Sequence, residues 1–535
     1  MNPKTPRPSV PVAERLRAWF RSSQPFILEN YGLDTRALGI FRICLAAMLL
    51  YDLASRATYM TAHYTDDGFM PRDKLLGGWS NPLFYSFHNW GGDLTSQTLI
   101  FCVAGVFALM LLVGFKTRLA TILSYILLTS VQGRNYLILQ GGDDILRVMV
   151  FWSMFAPLAA RFSVDAVLRA RHPEASPVPL RVVSVGTLAL ASQLLVMYLV
   201  SGILKSGPAW HQNGNAISLA IHHHTFATPF GIFVRENVPE SVLKVMTHSV
   251  LGLELFGPFL FFIPIRTYLF RTLQAFLFIG FHFGLFLTMN LGHFPWVCML
   301  AWLMVLPSWF WDVPVARLIT ALKLGPRLES VSRSVADRIR SLAPRLRPGI
   351  APPPPVFAPT RWAIAFTVAL VAYIGAGTAY AANHSGNVEG KAFEPLLMLR
   401  MSANWGMFAP NPPSESGWFV FVAKQKGGNQ IDPWRYGTPV TFEQPELPTT
   451  TYRVERWRKF LDNIMNPRHA VVRPYFLKWL CNDWNEDHAG NEQITEIEFF
   501  HMVQNVRWPD KGYGPLRKVA LGKQRCPAQK AAKAF

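Results

Sequence analysis

The sequence predicts an all-α polytopic membrane bundle of about nine transmembrane helices with a small C-terminal α+β domain, and three observations predict it. Half of the 535 residues are hydrophobic and only 16% are charged, too little polar surface to cover a water-soluble chain of this length. Nine apolar runs approach the ~20 residues that cross roughly 30 Å of hydrocarbon as a helix, and helices satisfy the backbone there within a single segment. Their Leu, Phe, Ala and Gly content lacks the alternation of a membrane β-barrel. After Ala382 the composition turns to that of a soluble domain of about 150 residues, an ordinary domain size.

The elements follow in chain order. Residues 1–36 are charged and proline-containing, without the apolar core of a cleavable signal, so the first span acts as its own insertion signal. Within them, Val12, Leu16, Trp19 and Phe20 share a helical face and Arg15, Arg17 and Arg21 lie elsewhere, the pattern of a helix on the membrane surface. The membrane domain, 37–311, holds spans near 37–53, 97–115, 119–138, 145–161, 182–204, 242–264, 268–290 and 294–311. A basic linker, 312–361, leads to a ninth span at 362–382. In the linker, Leu328, Val331, Val335, Ile339 and Leu342 keep helical spacing among arginines, a second surface helix, and Pro352–Pro355 form a stiff connector.

Charge assigns orientation. Lys116 and Arg118, then Arg161, Arg169 and Arg171, then Arg266 and Arg271, then the linker, make every second connection basic, which the positive-inside rule places in the cytoplasm. The amino terminus is then cytoplasmic and the 383–535 domain extracytoplasmic. The formal charge of +19 crowds the ends of apolar runs, where anionic lipid explains it; no nucleic-acid-binding module accompanies it, so lipids and not nucleic acid are the expected partners. The outer connections, 56–96, 133–144 and 205–241, are rich in polar and aromatic residues and form the lip of any pocket.

In the terminal domain, a helix-like stretch at 391–401 precedes a Pro/Asn-rich turn at 404–413. Strands are expected at 417–424 and 494–503, a turn at 426–429 and an amphipathic helix at 453–465. Cys44, Cys102 and Cys298 lie in apolar spans as small buried residues. Cys481 and Cys526 are the two in the outer domain, where oxidising conditions let them pair or leave them as free thiols.

Ionisable groups at membrane depth are costly unless paired or hydrated, and commonly mark a site. Lys205 ends the fifth span and Trp210 follows it; Glu254, His282 and Arg42 lie within spans; Asp143 and Asp144 open the fourth. Each has a structural alternative: Lys205 anchors by snorkelling, Arg42 pairs with Asp52, and Glu254 and His282 hydrogen-bond across a helix interface. His222–His224 and His211 invite a metal, but adjacent helical histidines point about 100° apart and no carboxylate motif stands beside them, so no metal site is assigned.

The stretches ALGIFRICLAAMLLYDL (37–53), YLILQGGDDIL (136–146), FAPLAARFSVDAVL (155–168), SGILKSGPAW (201–210), LELFGPFLFF (253–262) and FHFGLFLTMNLGHF (281–294) occur in an order that resembles the HTTM, or vitamin K-dependent γ-carboxylase-like, membrane superfamily. NWGMFAPNP with the later RWRKF resembles the extension of its bacterial members. The resemblance implies a base that deprotonates reduced vitamin K, at the position of Lys205, and matches His282, Gly292 and Phe294 to a family segment. It departs at Gly142, where counting back from Ser163 reaches the position of a family histidine and finds Asp143 and Asp144 beside it. The resulting expectation is a quinone- or lipid-linked membrane enzyme in which Lys205 is the base, His282 and Glu254 orient or relay protons, and Asp143, Asp144, Arg42 and Trp210 contact ligand. Reduced vitamin K or another quinone is the cofactor the resemblance offers, with a peptide or small molecule as substrate. The alternative is a non-enzymatic, immunity-like binding or accessory protein on the same scaffold. A transporter is the weaker third, for want of an inverted repeat.

Overall fold

The computed structural model describes residues 12–171, 177–346, 361–383, 393–401, 403, 405–507 and 512–527. The expected connector at 352–355 lies outside them. A helix, α1 (Val12–Tyr31), leads through a two-residue strand into the bundle. There follow α2 (Thr35–Ala57), α3 (Leu94–Val113), α4 (Thr117–Arg134), α5 (Gly141–Ser153), α6 (Val185–Leu204), α7 (Pro229–Asn237), α8 (Glu240–Phe256), α9 (Thr267–Thr288) and α10 (Phe294–Leu303). The linker carries α11 (Gly325–Leu346), which covers the expected surface helix, and α12 (Arg361–Asn383) packs on α6.

Among the described residues five helices are long and apolar enough to cross a membrane: α2, α3, α6, α9, and α8 continued to Phe262. A sixth arises if α10 and Ser308–Ala321, which meet at 93°, are one broken span. Nine spans are therefore not confirmed, and the differences have physical causes. Where a span was expected at 119–138, α4 buries Thr121, Ser124, Thr129, Ser130, Gln132 and Arg134; it is a polar helix packed largely against protein, in which Thr121, Thr129 and Gln132 hydrogen-bond to backbone carbonyls. The 145–161 run yields only the 13-residue α5, too short to cross. In α12 the described apolar part is Ile364–Gly377.

The C-terminal domain is an antiparallel sheet backed by two helices. Its strands are β1 (Glu415–Gln425), β2 (Gln430–Asp432), β3 (Thr438–Pro439), β4 (Ile494–Arg507), β5 (Gly512–Tyr513) and β6 (Arg517–Arg525), in the order β3-β2-β1-β4-β5 with β6 on β4. The β1–β4 register sets Phe421 opposite Phe499 with rings stacked at 4.6 Å. That aromatic face buries α13 (Glu455–Met465) and α14 (Arg473–Asp487) through Trp457, Phe460 and Phe476. Cys481 on α14 is disulfide-bonded to Cys526, just beyond β6. The expected strands and the 453–465 helix are present; β6 and α14 had not been anticipated.

The domain docks on the end of the bundle opposite the basic connections. Arg456 of α13 reaches Asp52 of α2 and lies 3.3 Å from Asp143 of α5. Arg56 joins both carboxylates, at 2.8 Å from Asp52, and donates to Tyr64 at 2.9 Å. Two guanidiniums and two carboxylates, all buried, thus neutralise one another, a network in which losing one member strands a buried charge at a cost of about 3–5 kcal/mol. Asp52 is occupied here. Arg42 is not its partner: its guanidinium donates to the Phe162 carbonyl at 2.5 Å near the basic end.

Candidate functional site

The site is built on one face of α6. Ser184 caps the helix and forms a capping box with Thr187, which fixes its start. At its other end Tyr198, Ser201 and Lys205 stand at three-four spacing, so their side chains project to the same side. Lys205 Nζ donates to Ser201 Oγ at 2.7 Å and to Glu254 Oε2 of α8 at 2.6 Å. Gly202 permits that meeting: a Cβ there would lie 2.9 Å from Leu255 Cδ2 and 3.2 Å from Glu254 Cβ. A larger residue would have to displace Leu255 or widen the approach of α6 and α8.

Below the ion pair, the Tyr198 hydroxyl lies 2.7 Å from His282 Nε2 of α9 and accepts from Trp302 Nε1 of α10 at 3.0 Å. His282 Nδ1 is buried without a hydrogen-bond partner. Above the pair, Lys205 Nζ sits 5.2 Å over the Trp210 ring, a cation–π contact, and His211 Nε2 is 2.9 Å from the Lys205 carbonyl.

The segment after α12 forms the roof. Gly207 N–H donates to the Pro410 carbonyl at 3.0 Å, Ala209 N–H to Asn411 Oδ1 at 3.0 Å, and Trp210 Nε1 to the Phe408 carbonyl at 2.9 Å. Gly207 lies so close that a Cβ would meet Asn411 Oδ1 at 2.2 Å. The Pro/Asn-rich turn of the C-terminal region thereby holds the tryptophan over the lysine.

These groups line one cavity of about 1100 Å³, ample for a large organic ligand. Lys205, Glu254, His282, Tyr198, Ser201 and Trp210 supply its polar patch, and Met407, Phe408, Arg458 and Lys459 its ceiling. Aliphatic and aromatic side chains of α7, α8 and α9, with Ile217, Ile221, Phe226 and Phe294, make most of the remaining wall. Phe230, Val242, Met246 and Leu277 belong to that wall and are also exposed on the outside of the bundle. Gly280 and Gly284 of α9 line it too, with open space where a Cβ would stand. The cavity therefore opens sideways, through the apolar flank.

Of the seven binding or catalytic residues singled out in the sequence, four come together: Lys205, Glu254, His282 and Trp210. The other three do not line the cavity. Asp143 belongs to the charge network and accepts the Gln140 N–H at 2.8 Å in a capping box. Asp144 pairs with Arg147 at 2.6 Å, and Arg42 lies at the basic end. Asp52, Asp143 and His293 bring ligand atoms within 4.8 Å of one another, but Arg56 and Arg456 already hold both carboxylates, and a metal ion would have to displace a guanidinium. The consecutive histidines scatter: His222 Nδ1 meets the Ser218 carbonyl, His223 Nδ1 the Thr225 hydroxyl, and His224 stacks on Tyr513.

Three participants had not been anticipated. Tyr198 and Ser201 were legible as the residues seven and four before Lys205 on the same helix. His293 was not. Its ring lies where a side chain at position 142 would go, 2.9 Å from the ideal Cβ, and is 3.0 Å from Gln140 of the cavity lining. An imidazole from the loop before α10 thus fills the space left by Gly142.

A family model, the HTTM domain, matches residues 30–309, from before α2 to the end of the α10 region. No curated protein and no solved structure matches the chain. The match spans more than half of the sequence and includes Tyr198, Lys205, Glu254 and His282; the chain belongs to the HTTM family of membrane proteins.

Proposed function

We propose that this protein is a membrane enzyme acting on an amphipathic, quinone- or lipid-linked substrate whose polar end meets Lys205, Glu254 and His282. The observation that carries this reading is the convergence of ionisable side chains from three helices on a single large cavity with apolar walls; such groups are expensive inside a bundle. An amine in an ion pair carries its proton, so the base is the Lys205–Glu254 pair and not the lysine alone. A substrate hydroxyl gives its proton to the Glu254 carboxylate, which becomes the carboxylic acid, the electrons of the broken O–H bond remain on the substrate oxygen, and the Lys205 ammonium stays beside the oxyanion. Tyr198 donates to His282 Nε2, leaving Nδ1–H facing the ligand as a second donor. A reduced quinone such as reduced vitamin K fits this chemistry and the family resemblance. The cytoplasmic amino terminus and extracytoplasmic domain are part of the same proposal, supported by basic connections at one end of the bundle and a disulfide-bonded domain at the other.

The test is lipid extraction of the purified protein with mass spectrometry for a co-purifying quinone, together with an assay of reduced-quinone consumption. Lys205→Ala is expected to abolish turnover while the thermal unfolding transition persists; a fully active, folded variant overturns the reading. One observation favours a binding protein instead: Lys205 is already satisfied by Ser201, Glu254 and Trp210. In that case a ligand is retained and no quinone is consumed.

A further inference from the structure

A second cavity lies at the basic end, on the far side of the bundle from the polar patch just described. It measures about 280 Å³ and is lined by the end of α1, the start of α9 and Pro307–Ser308. Three arginines line it, Arg181, Arg266 and Arg271, against one acidic residue, Glu29 at its exposed rim.

The arginines differ from ordinary topological anchors, which reach out to water or headgroups. Arg271 is fully buried one turn inside α9. Its Nε and Nη2 donate to the Val305 carbonyl at 3.1 and 2.8 Å, and Nη1 to the carbonyls of Gly32 and Asn30 at 3.0 and 3.3 Å. Arg181 donates to Ser308 Oγ at 3.0 Å and to the Glu29 carbonyl at 3.1 Å. Every acceptor is neutral. The nearby acids are engaged elsewhere: Asp34 and Asp312 both hold Arg36, at 2.8 and 2.5 Å. Arg266, exposed and capping the N-terminus of α9 with φ 46°, has no carboxylate within salt-bridge reach among the described residues. A buried cation held only by carbonyls, as Arg271 is, retains uncompensated charge, and the positive end of the 22-residue α9 adds to it.

The surroundings locate the cleft at a membrane surface. Phe262, Ile265, Tyr268 and Leu269 are exposed around it, and Tyr268 packs on Trp309 at 5.1 Å, an aromatic pair of the kind that settles at headgroup level. Its volume exceeds several water molecules at ~30 Å³ each, room for a phosphate group.

We propose that this cleft is a binding site for a phosphate group, with Arg181 and Arg266 as direct ligands and Arg271 as the buried counter-charge beneath them. The phosphate belongs to an anionic phospholipid headgroup or to a soluble phosphate, sources that share this chemistry.

The full chain, reconstituted in nanodiscs of phosphatidylcholine with and without phosphatidylglycerol and then released into detergent, reports retained lipid by native mass spectrometry. The expected result is one phosphatidylglycerol carried per chain and no selective retention of phosphatidylcholine. Arg181→Gln and Arg266→Gln each weaken retention roughly fivefold, and Glu29→Gln strengthens it; these changes are at or near the surface and leave Arg271 and its carbonyl partners in place. Selective binding of inorganic phosphate, sensitive to the same variants and without lipid retention, identifies the soluble source. Retention that ignores headgroup charge, or that the arginine variants leave unchanged, together with no phosphate binding, overturns the proposal. None of these readouts depends on the reaction proposed at Lys205.

Discussion

The reaction proposed at Lys205 depends on a partner 49 positions along the chain, and that partner changes the role a lone lysine would have. Glu254 Oε2 lies 2.6 Å from the amine, so replacing the carboxylate by a neutral amide of the same shape separates charge from packing. Glu254→Gln is expected to lower turnover by about 10²–10⁴-fold, the usual worth of a positioned acid–base group, with little change in ligand affinity; equal losses in kcat and affinity would show that the pair only shapes the pocket. The sequence made Lys205 conspicuous as a cation at the end of an apolar run, and helical spacing made Ser201 and Tyr198 recoverable. It could not pair Lys205 with Glu254, because pairing depends on how α6 and α8 cross. Arg42 and Asp52 illustrate the same limit: ten residues apart on one helix, they project to different ends, and Asp52 finds Arg456 from the far end of the chain.

At the level of elements, Gly202 sets the α6–α8 approach. Gly202→Val places branched carbons where Leu255 and the Glu254 stem already stand, and those side chains or the helices themselves must shift. The expected outcome is a folded protein, with helical circular dichroism retained, in which ligand binding and turnover both fall and the unfolding midpoint drops by the equivalent of about 1–3 kcal/mol, the cost of overpacking. Normal turnover in that variant would show that close approach is not needed. Long apolar runs were readable as spans because lipid demands uniform hydrophobicity. The helices misjudged, α4 and α5, face protein on most sides, and their boundaries and lengths follow from tertiary packing. Similarly β1 announces itself by a continuous buried apolar run and β4 by partial alternation, whereas β6, RKVALGKQR, is largely exposed and its sequence is that of a solvated loop.

For the whole molecule, the contact between the His222–His224 segment and the sheet domain couples stability to pH. Burial lowers His224 and His501 to about 4 and His223 to about 3, from 6.5. Histidines neutral in the folded state take up protons on unfolding between pH 4 and 6.5, so stability rises with pH across that window. Asp432, raised by burial to about 6 from 3.8, acts in the opposite sense, its contribution falling as pH rises from 3.8 to 6. Glu455, Asp462 and Asp483, also raised by burial, act with Asp432, so the histidine contribution, which climbs from pH 4 to 6.5 and then levels off, is read as the difference in unfolding midpoint between the parent chain and a histidine variant. His224→Gln, which keeps a polar partner for Gln504, should flatten the climb; an unchanged slope would place the titrating groups elsewhere.

The cavity's sideways opening has a kinetic consequence. An occupant entering past Phe230, Val242 and Met246 arrives by diffusion in two dimensions, so occupancy follows its mole fraction in the surrounding lipid and not its amount per volume of buffer. Adding inert lipid or detergent dilutes such a ligand at constant bulk concentration. Apparent affinities for this protein are therefore comparable between preparations only when expressed per mole of amphiphile.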